Sequence, residues 1–177
     1  AADEIVRLSE AVGAPIEVNV FHRTEERVAA IERFMRQHGA RRVYGADCKK
    51  THLPNLNSPR GIVCEEGIYS SDVVLVAIED GDRTEALRRL GKTVIAIDLN
   101  PFSRTAQAAS ITVVDEAIRA TKNMVEIAQS LSGRPKDELS EILRRYDNAD
   151  VLKRAFKKML ERLSEASSKG VIIDLGF

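Results

Sequence analysis

Along the chain, apolar residues switch between a period near 3.6 and short continuous runs. Ile5, Leu8 and Val12 share one face of a helix predicted over 3–12, and Gly13 stops it. Pro15 introduces a β run from Ile16 to Phe21. Thr24 has the position of an N-cap, with Glu25 and Glu26 in the positive first turn. Val28, Ile31, Phe34 and Met35 carry that helix to Gly39, and Arg42–Gly45 is a short strand candidate. The stretch 46–62 holds Pro54, Pro59 and Gly61, and is expected to be an ordered loop or a mobile lid. Val73 to Ile78 are all apolar and mostly β-branched, the pattern of a parallel strand covered on both faces. Asp82 with Glu85 starts a helix that stops at Gly91. Thr93–Ile97 is a second buried strand, a loop over 98–109 leads to a strand at Ile111–Val114, and Asp115 caps a helix running to Leu131. Residues 134–168 are helical only. There Leu139, Ile142, Leu143 and Val151 follow a two-helix packing pattern, predicted to cover the sheet or a subunit partner without touching substrate.

Strands alternating with helices in this way predict an α/β fold: a Rossmann-like open, mainly parallel sheet with helices on both faces, plus a C-terminal helical hairpin. The expected boundaries are 1–131 for the Rossmann-like domain and 132–177 for a helical extension ending in an apolar tail. At 177 residues one domain suffices. Lys+Arg and Asp+Glu number 27 each, which leaves no global basic field for nucleic acid. Aromatics are 5% and Trp is absent, so no base-stacking platform is expected either. Lys153, Arg154, Lys157, Lys158 and Arg162 cluster on the last helix, where a solvated face explains them better than RNA does. No apolar run is long enough for a membrane span, and no signal peptide opens the sequence. Cys48 and Cys64 are too few for a disulfide scaffold or a four-ligand zinc site, and are expected to be reduced thiols in a cytoplasmic protein.

In open parallel sheets ligands bind beyond the carboxyl ends of the strands. There the sequence supplies Asn19 and His22-Arg23-Thr24, then Glu79-Asp80-Gly81-Asp82-Arg83-Thr84, then Asp98-Leu99-Asn100 with Arg104-Thr105, then Asp115-Glu116. Arginine forks, hydroxyls and helix N-termini at one sheet edge suit a phosphorylated ligand. Asp80, Asp82 or Asp98 could hold Mg²⁺, and Gly81 would let the backbone approach closely. Each of Thr24, Asp82 and Asp115 is also explained as a helix cap alone, and His22 as a surface histidine. Neither the G-x-G-x-x-G fingerprint nor a P-loop is present.

The segment Asp98-Leu99-Asn100-Pro101-Phe102-Ser103-Arg104-Thr105 resembles the "DLNPLSRT" segment of the archaeal phosphopantothenate synthetases, the 4-phosphopantoate–β-alanine ligases. Phe21-His22-Arg23-Thr24-Glu25-Glu26-Arg27, Gly67–Val76 and Glu79–Leu87 are similar to further blocks of that family, in the same order, over about 3–131. The resemblance implies an ATP-dependent ligase that condenses 4-phosphopantoate with β-alanine through an acyl-adenylate, releasing AMP and diphosphate in coenzyme A biosynthesis. It implies ATP contacts from Asp98, Leu99, Asn100, Arg104, Thr105, Glu116 and Ala117. Convergence alone places Asp82 and Arg83 as catalytic groups and His22, Arg23, Asp80 and Gly81 at the substrate. ATP and Mg²⁺ are the expected cofactors, and metal ligands stay unassigned. The resemblance also implies a homodimer, to which the apolar tail 170–177 could contribute, and a further segment before Ala1 with basic residues that contact ATP. The alternative is a non-enzymatic nucleotide- or phosphosugar-binding module.

Overall fold

A computed structural model describes residues 1–170. The tail expected to fold back or meet a partner, 171–177, lies outside the described residues. In chain order the elements are α1 (Ala2–Val12), β1 (Ile16–Glu17), α2 (Glu25–Gln37), β2 (Val43–Tyr44), β3 (Lys50–His52), β4 (Ile62–Cys64), β5 (Val73–Val76), α3 (Gly81–Arg89), β6 (Thr93–Ile97), α4 (Arg104–Ala108), β7 (Ile111–Val113), α5 (Ala117–Leu131), α6 (Lys136–Arg144) and α7 (Asn148–Lys169). A 3₁₀ turn at Pro59–Gly61 precedes β4, and a π turn at Glu65–Tyr69 follows it.

The fold is α/β with open, mainly parallel pairing. β5, β6 and β7 run parallel in that order, with Val74 opposite Val94 and Ile95 opposite Ile111. β1 pairs in parallel with β2. Two apolar clusters hold the layers. Leu53, Leu56 and Val63 pack with Val74, Val76, Ala86, Leu87 and Val94. Val6, Val18, Val28, Met35, Ala40 and Val43 join α1, α2 and the β1–β2 pair.

Several local expectations change. The segment expected as a loop or lid at 46–62 contains an antiparallel hairpin, β3 on β4, with Thr51 opposite Val63. Its inward residues Leu53 and Val63 are almost wholly buried, so hydrophobic burial orders it. The cysteines expected as reduced thiols are joined as a Cys48–Cys64 disulfide, their Cα atoms 5.6 Å apart. Antiparallel pairing of Lys50 with Cys64 folds the chain back, so residues distant in sequence meet at the hairpin mouth. The strand expected to be covered on both faces alternates instead: Val74 and Val76 are buried, whereas Val73 is 55% exposed and Leu75 37%. The strand run expected over 16–21 pairs only at Ile16–Glu17. α6 and α7 follow one another where a C-terminal helical hairpin was expected, but α6 buries no residue, Ile142 and Leu143 are exposed, and α7 packs against α4 and β7. α7 docks through Leu152 and through Phe156, which stacks on Phe102 with centroids 4.2 Å apart.

Candidate functional site

Two helix N-termini stand side by side where β5 and β6 end. α3 is capped by Asp80, whose side chain accepts from the Arg83 amide at 3.2 Å. The expected cap, Asp82, instead lies in the first turn, because Asp80 is the residue with non-helical backbone. α4 is capped by Ser103, which accepts from the Ala106 amide at 3.0 Å. The helices are knitted together: Thr105, fully buried, accepts from the Asp80 amide through Oγ1 at 2.9 Å. Arg104 leaves the loop after β6 and pairs with Asp82, with Glu85 3.7 Å away. It crosses directly over Gly81, where a Cβ would meet Arg104 Nε at 2.9 Å.

The loop that carries the expected nucleotide contacts is organised by its own side chains. Asp98 Oδ1 accepts from the Asn100 amide at 2.8 Å, Asp98 Oδ2 accepts from Ser103 Oγ, and Asn100 Oδ1 accepts from the Phe102 amide at 3.0 Å. Asp98 is therefore buried and occupied, while Leu99 projects, 67% exposed. After β7, Glu116 caps α5, accepting from the amides of Ile118 and Arg119, both at 2.9 Å. Those amides hold its carboxyl below its ordinary value. Asp115, the expected cap, is paired with Arg119 instead, and Ala117 is the first helical residue.

A second group lies on the other side of Asp80. Arg60 Nη1 is 2.8 Å and Arg83 Nε 3.0 Å from Asp80 Oδ2. Asn19 binds both neighbours: its Nδ2 donates to the carbonyls of Arg60 and Ile62, and its Oδ1 accepts from Arg83 Nη1 at 2.8 Å. Arg60 also lies over the Phe21 ring, 4.8 Å from its centroid. Arg23 donates to the Gly45 carbonyl at 3.1 Å, its side chain 7% exposed. His22 is exposed, edge-on to Phe21. Glu17 accepts from the amides of Cys64 and Ile68, and burial pushes its carboxyl above the ordinary value against those hydrogen bonds and the charges of Arg83 and Arg23. Burial draws the Arg83 guanidinium down, opposed by Asp80 and reinforced by Arg60.

The structure thus brings Asp80, Gly81, Asp82, Arg83, Arg104 and Thr105 together. Glu116 and Ala117 belong to a separate helix start, and His22 is exposed beside Phe21. Sequence reasoning missed Arg60, since 46–62 was read from its prolines and glycine. The available signal was Ser58-Pro59-Arg60-Gly61, a Pro-initiated turn that fixes one arginine. Of the three carboxylates considered for Mg²⁺, Asp80 faces two arginines and Asp98 serves its loop, so only Asp82 faces solvent. Among the described residues no three His, Cys, Asp or Glu side chains converge as a metal cage. No helix among the described residues is long and apolar enough to cross a membrane.

The family model described as phosphopantothenate/pantothenate synthetase matches residues 1–162. The chain is 42% identical over 169 residues to the 4-phosphopantoate–beta-alanine ligase of Thermococcus kodakarensis, covering 95% of this chain and 64% of that protein. It is 43% identical over 169 residues to the enzyme of that name from Methanosarcina mazei, covering 96% of this chain and 66% of the relative. The Methanospirillum hungatei protein of the same name is 43% identical over 163 residues. The chain thus spans a little under two thirds of the length of these relatives.

Proposed function

The chain belongs to the phosphopantothenate/pantothenate synthetase family, and on that premise we propose that it takes part in the ATP-dependent condensation of 4-phosphopantoate with β-alanine. The observation that carries this reading is the pairing of two helix N-termini, α3 and α4, through Thr105 and Arg104. Their first-turn amides and Arg104 offer donors to phosphate oxygens at one edge of the sheet. A carboxylate is a poor acyl donor until one of its oxygens becomes part of a leaving group. In this reading the 4-phosphopantoate carboxylate attacks the α-phosphorus of ATP and diphosphate leaves. The β-alanine nitrogen then attacks the acyl carbon, the C–O bond breaks with its electrons going to AMP, and the nitrogen loses a proton to give 4′-phosphopantothenate.

Within this scheme Asp98, Leu99, Asn100, Arg104 and Thr105 form the nucleotide loop, with Glu116 and Ala117 at its far side. Arg104 exchanges Asp82 for phosphate, which frees Asp82. Of Asp80, Asp82 and Asp98, Asp82 would then be the carboxylate available to Mg²⁺ carried on the triphosphate. Arg83 supports charge on the reacting phosphate, and Arg23, Asp80, Gly81 and His22 serve the substrate side. Residues 1–131 act as the binding domain and 132–177 as its buttress, in a cytoplasmic homodimer.

The test is formation of AMP and diphosphate that requires both 4-phosphopantoate and ATP, and of an amide product that requires β-alanine. Arg104→Ala should weaken ATP binding roughly tenfold or more through loss of a charge-assisted contact. Unchanged ATP affinity in that variant removes the loop assignment. A protein that binds nucleotide and 4-phosphopantoate but never forms AMP is a binding module instead.

A further inference from the structure

We propose that Tyr146 and Asn148 are positioning residues for the 98–105 loop: through the Ala106 carbonyl they fix α4, and with it Arg104 and Thr105. This deepens the ligase reading and rests on it for the identity of the ligand, the triphosphate of ATP.

α4 does not hold its own position. It is five residues long, far shorter than a helix that is stable by itself. The carbonyl of Ala106 has no partner along the chain, because the two amides that could close on it are used elsewhere. The Ala109 amide donates to the Thr105 carbonyl at 3.0 Å, and the Ser110 amide to the Val94 carbonyl on β6 at 2.9 Å. Ala106 is wholly buried, so its carbonyl needs donors from elsewhere in the protein.

Two side chains supply them. Thr112 Oγ1 donates to the Ala106 carbonyl at 2.7 Å and Asn148 Nδ2 at 3.1 Å, which uses both lone pairs of that oxygen. Asn148 Oδ1 accepts from the Tyr146 hydroxyl at 2.8 Å, and the same hydroxyl accepts from the Thr112 amide at 2.9 Å. Thr112, Tyr146, Asn148 and Ala106 thus close a ring of hydrogen bonds that joins β7, the start of α7 and α4. The ring fixes the Asn148 amide, since turning it over would set its oxygen against the Ala106 carbonyl. Burial holds the Tyr146 phenol above its ordinary value, so it stays protonated and keeps donating. Neither side chain is needed to start α7, which Asp147 caps by accepting from the amides of Ala149 and Asp150. Both are therefore free to act on α4. From Ala106 the constraint passes to its neighbours: Thr105 accepts from the Asp80 amide and Arg104 pairs with Asp82. Arg104 is 63% exposed, so its place depends on the backbone that carries it.

Calorimetric titration of the protein with ATP and with 4-phosphopantoate tests the proposal on two variants that conserve shape. Tyr146→Phe removes only the hydroxyl. Asn148→Asp keeps the acceptor but sets an oxygen against the Ala106 carbonyl. Each should weaken ATP binding roughly fivefold, the worth of one hydrogen bond. Each should leave 4-phosphopantoate affinity unchanged and raise KM for ATP while kcat is kept. The two changes combined should lose no more than the larger single one, and neither should weaken ATP binding further in Arg104→Ala. A ring that serves stability alone would weaken both ligands alike or add its effect to Arg104→Ala. Either result overturns the proposal, as does unchanged ATP affinity. Should one variant fail to fold, the other carries the test. If the wild type binds no ATP and forms no AMP, the ligase reading falls, and hydrogen exchange then decides whether the ring holds α4. The Asp80 amide, bonded to Thr105, should exchange faster in Tyr146→Phe, while the Leu53 amide, bonded to the Gly61 carbonyl, keeps its rate. Equal acceleration of both amides, or of neither, overturns the hold on α4.

Discussion

Asp80 shows how one side chain can serve two tasks. It caps α3, and it faces the two guanidiniums of Arg60 and Arg83 from a position 2% exposed. Asp80→Ala removes the cap and leaves two like charges buried together. A buried charge stripped of its partner costs about 3–5 kcal/mol, so the midpoint of chemical denaturation should fall sharply. A shift below about 1 kcal/mol would mean that the arginines reach water more easily than their burial indicates. Glu17 gives a pH signature of opposite sign to ordinary surface acids. Its folded value is raised above the ordinary 4.5, chiefly by burial. The folded state keeps a proton that the unfolded chain has released, so the stability Glu17 contributes is present below 4.5 and is lost as pH rises through the raised value. Glu116 and Asp115, both lowered, act the other way: their support is lost as pH falls below their ordinary values of 4.5 and 3.8. The difference in stability between wild type and Glu17→Gln should therefore change with pH just above 4.5. A flat difference curve contradicts the assignment. Arg83 and Arg104 could be read from sequence because each lies in the loop-to-helix segment that follows a buried strand. Arg60 could not, because its partner Asp80 lies twenty residues on and only tertiary packing brings them together.

At the scale of elements, α7 supports the 98–105 loop and α4 from behind. Phe156 stacks on Phe102, and Asn148 Nδ2 donates to the Ala106 carbonyl at 3.1 Å at the end of α4. Tyr146 adds a third tie, its hydroxyl accepting from the Thr112 amide on β7 at 2.9 Å. Phe156→Ala should cost about 1–2 kcal/mol, combining the aromatic pair with partial loss of burial. If the loop binds ATP, this variant should raise KM for ATP severalfold with kcat nearly unchanged, and Phe156→Tyr should restore it. An unaltered KM would confine the stack to stability. The hairpin gives another prediction. The disulfide joins cysteines 16 residues apart in sequence, so Cys48→Ser should destabilise by roughly 3 kcal/mol on the chain-entropy account. A reductant should lower the wild-type Tm by several degrees and leave that of the variant where it is. Helix interiors were legible from spacing, and the caps less so. Asp80 and Asp82, or Asp115 and Glu116, are equally good caps in composition, and the backbone conformation selects one. β3 and β4 stayed hidden because each is only three residues long, and Pro54 and Pro59 between them read as breakers.

For the molecule as a whole, the parallel pairing of β5, β6 and β7 was legible because strands alternating with helices leave short continuous apolar runs, whereas their order in the sheet and the exposed face of β5 were not, since the same run fits a strand covered on one side or on two. What lies outside the folded layers gives the assembly prediction. α7 is 22 residues long, and only its first half docks, through Leu152 and Phe156. The second half projects, with Leu160 66% and Leu163 63% exposed. Met159, Leu160 and Leu163 continue the stripe begun by Phe156 at helical spacing, and α6 also leaves Ile142 and Leu143 exposed. Apolar rows of this kind mark contact surfaces, and a two-fold pair of helices is the simplest way to cover them, each copy presenting the same stripe to the other. Light scattering should give twice the chain mass at micromolar concentration. Leu160→Lys with Leu163→Lys should give the single-chain mass with unchanged circular dichroism, because neither residue supports the core. A monomeric wild type at every concentration rules out the homodimer. A dimer that persists in the double variant moves its interface away from α7, to the exposed face of β5 where Val73 and Leu75 stand uncovered among the described residues.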